Sequence, residues 1–253
     1  MSARDGFAPG VPYWIAGTHP DPEGALAFYG GLFGWEATDR GGFTACSLRG
    51  RDVAGLVPGE AAAWRTHIWV DDADATAERA ADAGGRIVTE PFELVGFGRV
   101  AVVADPAGAA FAVAQPGEHR GAQLVNEPGA WAMSALTMPD PEGAQAFYGR
   151  VFGWQADTFA MGDLAVTMWR LPGFVGGEPQ QPVPRDLVAT GFPGERPGWS
   201  VDFWVGDMDV AVDTAARLGG AVLDGPHDLP IGQQARLADP QGAAFSVTRI
   251  GVV

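Results

Sequence analysis

The chain has 253 residues, 47% of them hydrophobic, with a mean hydropathy of +0.02, which is enough for two cores of ordinary domain size and too mixed for a membrane span. Its 31 acidic residues against 16 basic ones leave a formal charge of −15, so nucleic acid and anionic membranes are repelled, and a neutral or cationic small-molecule guest is the easier partner. All the basic residues are arginine, which removes Schiff-base chemistry and a Walker-type phosphate lysine.

The opening MSARDGFAPG lacks the basic start and apolar core of a secretory signal, and a single cysteine, Cys46, excludes an internal disulfide. Both point to a cytoplasmic location. Residues 1–10 read as a loose arm, and VPYWIAG then alternates like a strand. The stretch from Asp21 to Trp35, DPEGALAFYGGLFGW, reads as a helix with both ends marked. Asp21 is the N-cap, Pro22 sits where no N–H is needed, Glu23 suits the positive end of the dipole, and Gly34 suits a left-handed cap. A polar turn follows Trp35, then two strands in GGFTACSLRG and RDVAGLVPG.

A second unit opens with the strand WRTHIWV and the helix DDADATAERAADAGG, whose paired Asp71 and Asp72 read as caps. RIVTEPF, GRVAVVADP and AAFAVAQP supply its remaining strands, and QPGEHRGAQLVNEPGA reads as a linker. Everything then repeats: DPEGAQAFYGRVFGW runs from Asp140 to Trp154, Trp204 answers Trp69, and DPQGAAFSV at Asp239 answers DPAGAAFAV at Asp105. The spacing grows in the second copy, and the Pro- and Gly-rich stretch from Gly173 to Gly198 absorbs the surplus, either as a loop covering a site or as an excursion without a role. The expected division is a first domain over 9–117, a linker over 118–128 and a second domain over 129–250.

This order, βαβββ twice per domain with paired FYGGLFGW/FYGRVFGW and DPAGAAF/DPQGAAF motifs, resembles the vicinal oxygen chelate superfamily of glyoxalases, bleomycin-resistance proteins and extradiol dioxygenases. The resemblance covers the chain from about Val11 to Arg249, and the QLVNEPG wording of the linker is similar to a two-domain actinobacterial glyoxalase-like subfamily. It implies an α+β fold of tandem glyoxalase/bleomycin-resistance-type domains, each made of two βαβββ units whose sheet forms a cup around the ligand. It also implies that the domains pack on one another, giving a monomer with intramolecular pairing or a homodimer.

Metal-dependent members of the superfamily hold a divalent ion with two His and two Glu from four strands. Carried over by spacing, the first locus lands on Trp14 and Met133, the second on Arg65 and Ser200, and a third on Ala112 and Ser246. None is a metal ligand of that kind, so no metal and no other cofactor is expected. Of the histidines, His19 falls in a βα turn, His119 in the linker and His227 in a loop. His67 shares one strand face with Arg65 and Trp69, and its repeat partner is Asp202, beside Trp204. His67 is open to three readings: a core histidine satisfied by a neighbour, a group orienting a ligand, or a metal ligand.

Trp14, at a ligand locus and unrepeated, either lines a pocket or packs. Arg99 either meets an anionic group or is tied up in a salt bridge, and Cys46 reads as a buried, inert thiol. The expected ligand-binding set is Trp14, Arg65, His67, Trp69, Arg99, Asp202 and Trp204, with His67 and Asp202 the acid–base candidates if a reaction occurs. The expected function is metal-free binding of a hydrophobic or aromatic metabolite or antibiotic, as bleomycin-resistance relatives do. The alternative is a glyoxalase-like lyase, isomerase or natural-product tailoring enzyme.

Overall fold

The structure, a computed structural model, describes residues 6–161, 164–176 and 184–251. The first half runs β1(Pro12–His19), α1(Pro22–Phe33), β2(Glu36–Asp39), β3(Thr44–Leu48), β4(Arg51–Pro58), β5(Ala63–Trp69), α2(Ala73–Asp82), β6(Arg86–Leu94), β7(Gly98–Ala104), β8(Ala110–Pro116). The second half repeats it as β9(Trp131–Met138), α3(Pro141–Phe152), β10(Gln155–Met161), β11(Leu164–Arg170), β12(Leu187–Pro193), β13(Gly198–Trp204), α4(Met208–Arg217), β14(Ala221–Leu229), β15(Gly232–Ala238), β16(Ala244–Ile250). Among the described residues no helix is long and apolar enough to cross a membrane.

The repeated helix is capped as its sequence dictates. Asp21 accepts the Gly24 N–H at 3.0 Å and Asp140 the Gly143 N–H at 3.0 Å, while Gly34 and Gly153 take φ of 77° and 75°, a region unfavourable to side chains, and return their N–H groups to the last turn. Of the pair Asp71 and Asp72, only Asp72 caps α2, accepting from Ala75 at 2.9 Å.

Each half forms one eight-stranded sheet, in the orders β2-β3-β4-β1-β5-β8-β7-β6 and β10-β11-β12-β9-β13-β16-β15-β14. The two βαβββ units of a half join through the antiparallel pairs β1–β5 and β9–β13, which puts the unit junction at the centre of each curled sheet. Several elements differ from the sequence reading. The polar turn after Trp35 is the edge strand β2, exposed along its whole length, so it carries no hydrophobic alternation to betray it. Strand β12 lies inside the Gly173–Gly198 stretch; residues 177–183 of that stretch lie outside the described residues. His19 is the buried last residue of β1, not part of a turn.

The linker is packed. Ala122, Leu124 and Val125 are buried, Ala122 donates to the Tyr13 carbonyl, and Gln123 exchanges hydrogen bonds with the Asp52 backbone. Within the arm, Gly10 donates to the Trp69 carbonyl and its own carbonyl accepts from Trp154 Nε1 at 2.7 Å.

Among the described residues the buried apolar side chains form two cores, but they do not divide as one per half. One joins α1 and its strands to Phe203, Met208, Ala211 and Phe245 of the second half, and the other joins Ile68, Ala77 and Phe111 of the first half to Phe147, Tyr148 and Trp154 of the second. The repeated motifs are the fasteners. Tyr29 donates to Asp239 across the halves at 3.1 Å and accepts from Trp64 Nε1 at 2.8 Å; Tyr148 donates to Asp105 at 3.1 Å and accepts from Trp199 Nε1 at 3.0 Å. Each half therefore supplies the acceptor for the other half's helix.

Candidate functional site: two unequal cups

Strand pairing fixes which side chains meet on the concave face of each sheet. Trp14 pairs with His67, His67 with Ala112 and Ala112 with Val102; in the second sheet Met133 pairs with Asp202, Asp202 with Ser246 and Ser246 with Arg236. The two rows are thus Trp14–His67–Ala112–Val102 and Met133–Asp202–Ser246–Arg236. This corrects the second locus: His67 and Asp202, not Arg65 and Ser200, stand in the row with the first and third loci. Arg65 and Ser200 lie one row further out, opposite Ala16 and Ala135. Counting along one strand cannot see this, because register belongs to the pair and both β1–β5 and β9–β13 carry an irregularity beside the row.

Each row offers a single side chain of the usual metal-binding type, His67 or Asp202. A catalytic divalent site takes about three protein ligands. Trp14, Ala112 and Val102 supply none, the Met133 thioether suits only soft ions, and Arg236 places a cation in the other row. Among the described residues no three His, Cys, Asp or Glu side chains cluster. The residues present do not fit the superfamily's ion.

The cups differ in filling. In the second sheet burial alternates along the central strands: Ser134, Leu136, Val201, Phe203, Phe245 and Val247 are buried on the helix side, while Met133, Ala135, Ser200, Asp202 and Ser246 are partly open on the other. In the first sheet both faces are covered, with Tyr13, Trp14, Ile15 and Ala16 all buried in succession. What fills the first cup is aromatic. Trp14 meets His119 edge-on at 4.3 Å between centroids and Phe43 at 6.4 Å, and Phe97 stacks on His119 at 5.1 Å. One side of its mouth is also closed: a Cβ on Gly42 would come within 2.6 Å of the Val95 carbonyl oxygen, and one on Gly96 within 2.7 Å of that of Arg40, so the β6–β7 tip touches the β2–β3 turn.

His67 is only 7% exposed, its Nδ1 is 3.2 Å from the Arg65 carbonyl oxygen, and burial together with the Arg65 charge pushes its pKa down to about 3. It is a neutral imidazole at physiological pH. In the second cup Asp202 accepts from Thr248 Oγ1 at 2.7 Å and from Gln234 Nε2 at 3.3 Å, and Gln234 also donates to Thr248 at 3.1 Å. Burial pushes the Asp202 carboxyl up to about 7, against the pull of those two donors. A carboxyl poised near neutrality can hold, give or take a proton.

The other expected residues scatter. Trp69 ends β5 partly exposed, edge-on to Tyr13 at 5.4 Å, with the Arg120 guanidinium 5.8 Å from its ring centroid. Trp204 ends β13 partly exposed, next along the Asp202 face. Arg99 is committed to Asp74: two of its nitrogens reach that carboxylate, one at 2.7 Å, and Glu93 lies at 3.6 Å. His227 is exposed and paired with Asp224, and Cys46 is buried with its thiol pushed up to about 12. His119, Phe97, Gln234 and Thr248 are site residues that sequence reasoning missed. Nothing in a polar Gly/Pro-rich segment announces that its histidine folds back into a sheet, whereas Gln234 and Thr248 could have been found only by knowing the β13–β16 and β15–β16 pairings.

A model described as a glyoxalase-like domain matches residues 14–114 and 133–248. The anthracycline biosynthesis protein DnrV of Streptomyces peucetius is 36% identical over 96% of this chain and 94% of its own length. CFP32 of Mycobacterium tuberculosis is 34% identical over 98% of both. Among solved structures, the Mn(II)-bound glyoxalase from Novosphingobium aromaticivorans aligns with a TM-score of 0.65 over 95% of this chain and 82% of that one, at 17% identity. The 2,2',3-trihydroxybiphenyl 1,2-dioxygenase of Sphingomonas wittichii aligns at 0.61 over 96% and 91%, also at 17% identity. These two likenesses are of fold.

Proposed function

The chain belongs to the glyoxalase-like domain family, and from that premise we propose that it binds a flat, amphipathic small molecule in its second cup, without the divalent ion of the metal-dependent members. The observation that carries this reading is the contrast between the cups: the second keeps a partly open row of Met133, Asp202 and Ser246, whereas the first is packed with Trp14, Phe43, Phe97 and His119. Met133 and Trp204 supply apolar contact, and the Asp202–Thr248–Gln234 network supplies a polar anchor for a hydroxyl, amide or amine.

A second reading is a tailoring enzyme of natural-product metabolism in which Asp202 transfers a proton. It is favoured by the carboxyl near neutrality and by DnrV, whose name places that protein in anthracycline biosynthesis. The two readings part in one experiment. Polycyclic aromatic compounds of the anthracycline type, neutral and cationic, are titrated against the protein while tryptophan fluorescence is followed, and the ligand is then recovered and weighed by mass spectrometry. Saturable binding weakened about tenfold by Trp204→Ala or Asp202→Ala, with the ligand unchanged, supports the binding protein. A converted product that Asp202→Asn abolishes supports the enzyme, and absence of saturable binding across the series removes both.

A further inference from the structure

Of the paired aspartates before α2 only Asp72 is a cap; Asp71 makes no hydrogen bond or ion pair among the described residues. Asp71 instead lines a cavity of about 200 Å³ between the start of α2, the last turn of α3 and the arm at Pro9 and Gly10, where the two halves meet. Thr76 and Arg79, four and seven residues after Asp72, share one side of α2 with it and line the same cavity. Arg79 closes one end, donating to the Val151 carbonyl of α3 at 3.2 Å.

Thr76 is 3% exposed, and its hydroxyl has no hydrogen-bond partner among the described residues. A hydroxyl in a joint between helices costs stability unless another group answers it. The other joint of the molecule shows that packing does not require one there. By the offset that relates Trp69 to Trp204, Asp71, Thr76 and Arg79 correspond to Gly206, Ala211 and Thr214. That joint therefore has a small, buried apolar residue in place of Thr76 and no charge in place of Asp71 or Arg79. Three polar side chains are added at the joint that holds the cavity, and one of them is buried without a partner.

Charge and size set the kind of guest. Arg79 lies about 10 Å along the helix axis from Asp72, and its guanidinium is held against the C-terminal end of α3, whose partial negative charge offsets it. At the opposite end Asp71 has no compensating cation, Thr76 offers a hydroxyl acceptor, and the formal charge of −15 draws cations to the surface. Val70, Val151 and Phe152 supply an apolar wall. The volume lies below the range of drug-sized pockets, about 300–1,000 Å³, so the guest is small. We propose that this joint binds a small primary amine, with its ammonium at Asp71 and the Thr76 hydroxyl and its hydrocarbon part on Val70, Val151 and Phe152. The site is separate from the second cup and does not depend on what that cup binds. Its walls come from both halves, so an occupied site ties the halves together.

The test titrates the full-length protein at neutral pH and equal ionic strength with n-butylamine and cyclohexylamine hydrochlorides, and with cyclohexanol and sodium cyclohexanecarboxylate as the neutral and anionic counterparts. Calorimetry and thermal melting are the readouts. At least one amine binds saturably at a single site per chain, with a Kd on the order of 1 mM for so small a guest, and raises the melting temperature. The alcohol and the carboxylate bind at least about tenfold more weakly. Asp71→Asn, at an exposed position that leaves the fold intact, weakens amine binding by about tenfold, and the isosteric Thr76→Val weakens it several-fold. Glu78→Gln, which removes an exposed acid of the same helix outside the cavity, leaves it unchanged. Trp204→Ala, which weakens a ligand of the second cup, also leaves it unchanged, so the two sites fail separately. Absence of saturable amine binding, equal binding of the alcohol or the carboxylate, binding that survives Asp71→Asn, or binding lost in Trp204→Ala overturns the proposal.

Discussion

Tyr29 and Asp239, 210 residues apart, share a buried hydrogen bond of 3.1 Å, and His19 meets the same carboxylate at 2.6 Å. The related pair, Tyr148 and Asp105, has the same 3.1 Å bond but no histidine, because Met138 stands where His19 would. Both aspartates also accept from the backbone of their own DPxG turn, through Ala243 and Ala109 at 2.9 Å each. Removing either carboxylate strands a buried tyrosine hydroxyl and a turn, and removing Asp239 strands His19 as well.

Asp239→Ala should therefore destabilise the protein by about 3 kcal/mol or more and Asp105→Ala by about 2, since hydrogen bonds to charged groups contribute roughly 1.5–3 kcal/mol each and are not additive. Urea unfolding of the two variants checks the order. Equal losses would mean that His19 adds nothing to the joint between the halves.

Asp202 predicts a pH dependence with an unusual sign. Its folded carboxyl, near 7, binds the proton more tightly than the ordinary 3.8 of an unfolded chain, so its contribution to stability is present at low pH, falls as pH rises from about 4 to 7, and is flat above. The full shift corresponds to roughly 4 kcal/mol, which solvent in the partly open cup reduces to about 1–3. Asp202→Asn should gain stability relative to wild type across that window by this amount. Parallel stability curves would place the carboxyl at its ordinary value.

His67 works in the opposite direction. Its folded imidazole, near 3, resists the proton that an unfolded histidine takes up near 6.5, so its contribution is present above about 6.5 and is lost as pH falls toward 3. His67→Gln should flatten the acid limb of the stability curve by up to about 3 kcal/mol, measured between pH 6.5 and 4. An unchanged acid limb would mean that His67 is solvated and charged in the folded protein.

The composition of the two rows predicts that purified protein carries less than a tenth of an equivalent of zinc, nickel, iron or manganese by elemental analysis. One tightly bound ion per cup, lost on replacing His67 or Asp202, would restore the metal-dependent chemistry of the superfamily to this chain.

What the amino-acid sequence determined by itself is everything that depends on neighbours along the chain. Asp21–Pro22 and Phe33–Gly34 mark the ends of α1 because caps and left-handed turns are local, and the duplicated FYG and DPxG motifs give the βαβββ order twice over. The identity of His67 and Asp202 as the polar pair on the cup faces was legible from strand alternation, which has a fixed period of two. Tertiary structure decided the rest. The exchange of Tyr–Asp partners between halves, the register that puts His67 in a row with Trp14, the return of His119 against Phe97 and the joining of Asp202 to Gln234 and Thr248 all involve residues 22 to 210 positions apart. Repetition even concealed the inequality of the cups, since two copies of one motif look alike in sequence. Whether a face is left open or filled depends on which distant side chains close over it, and that is a property of packing, not of pattern.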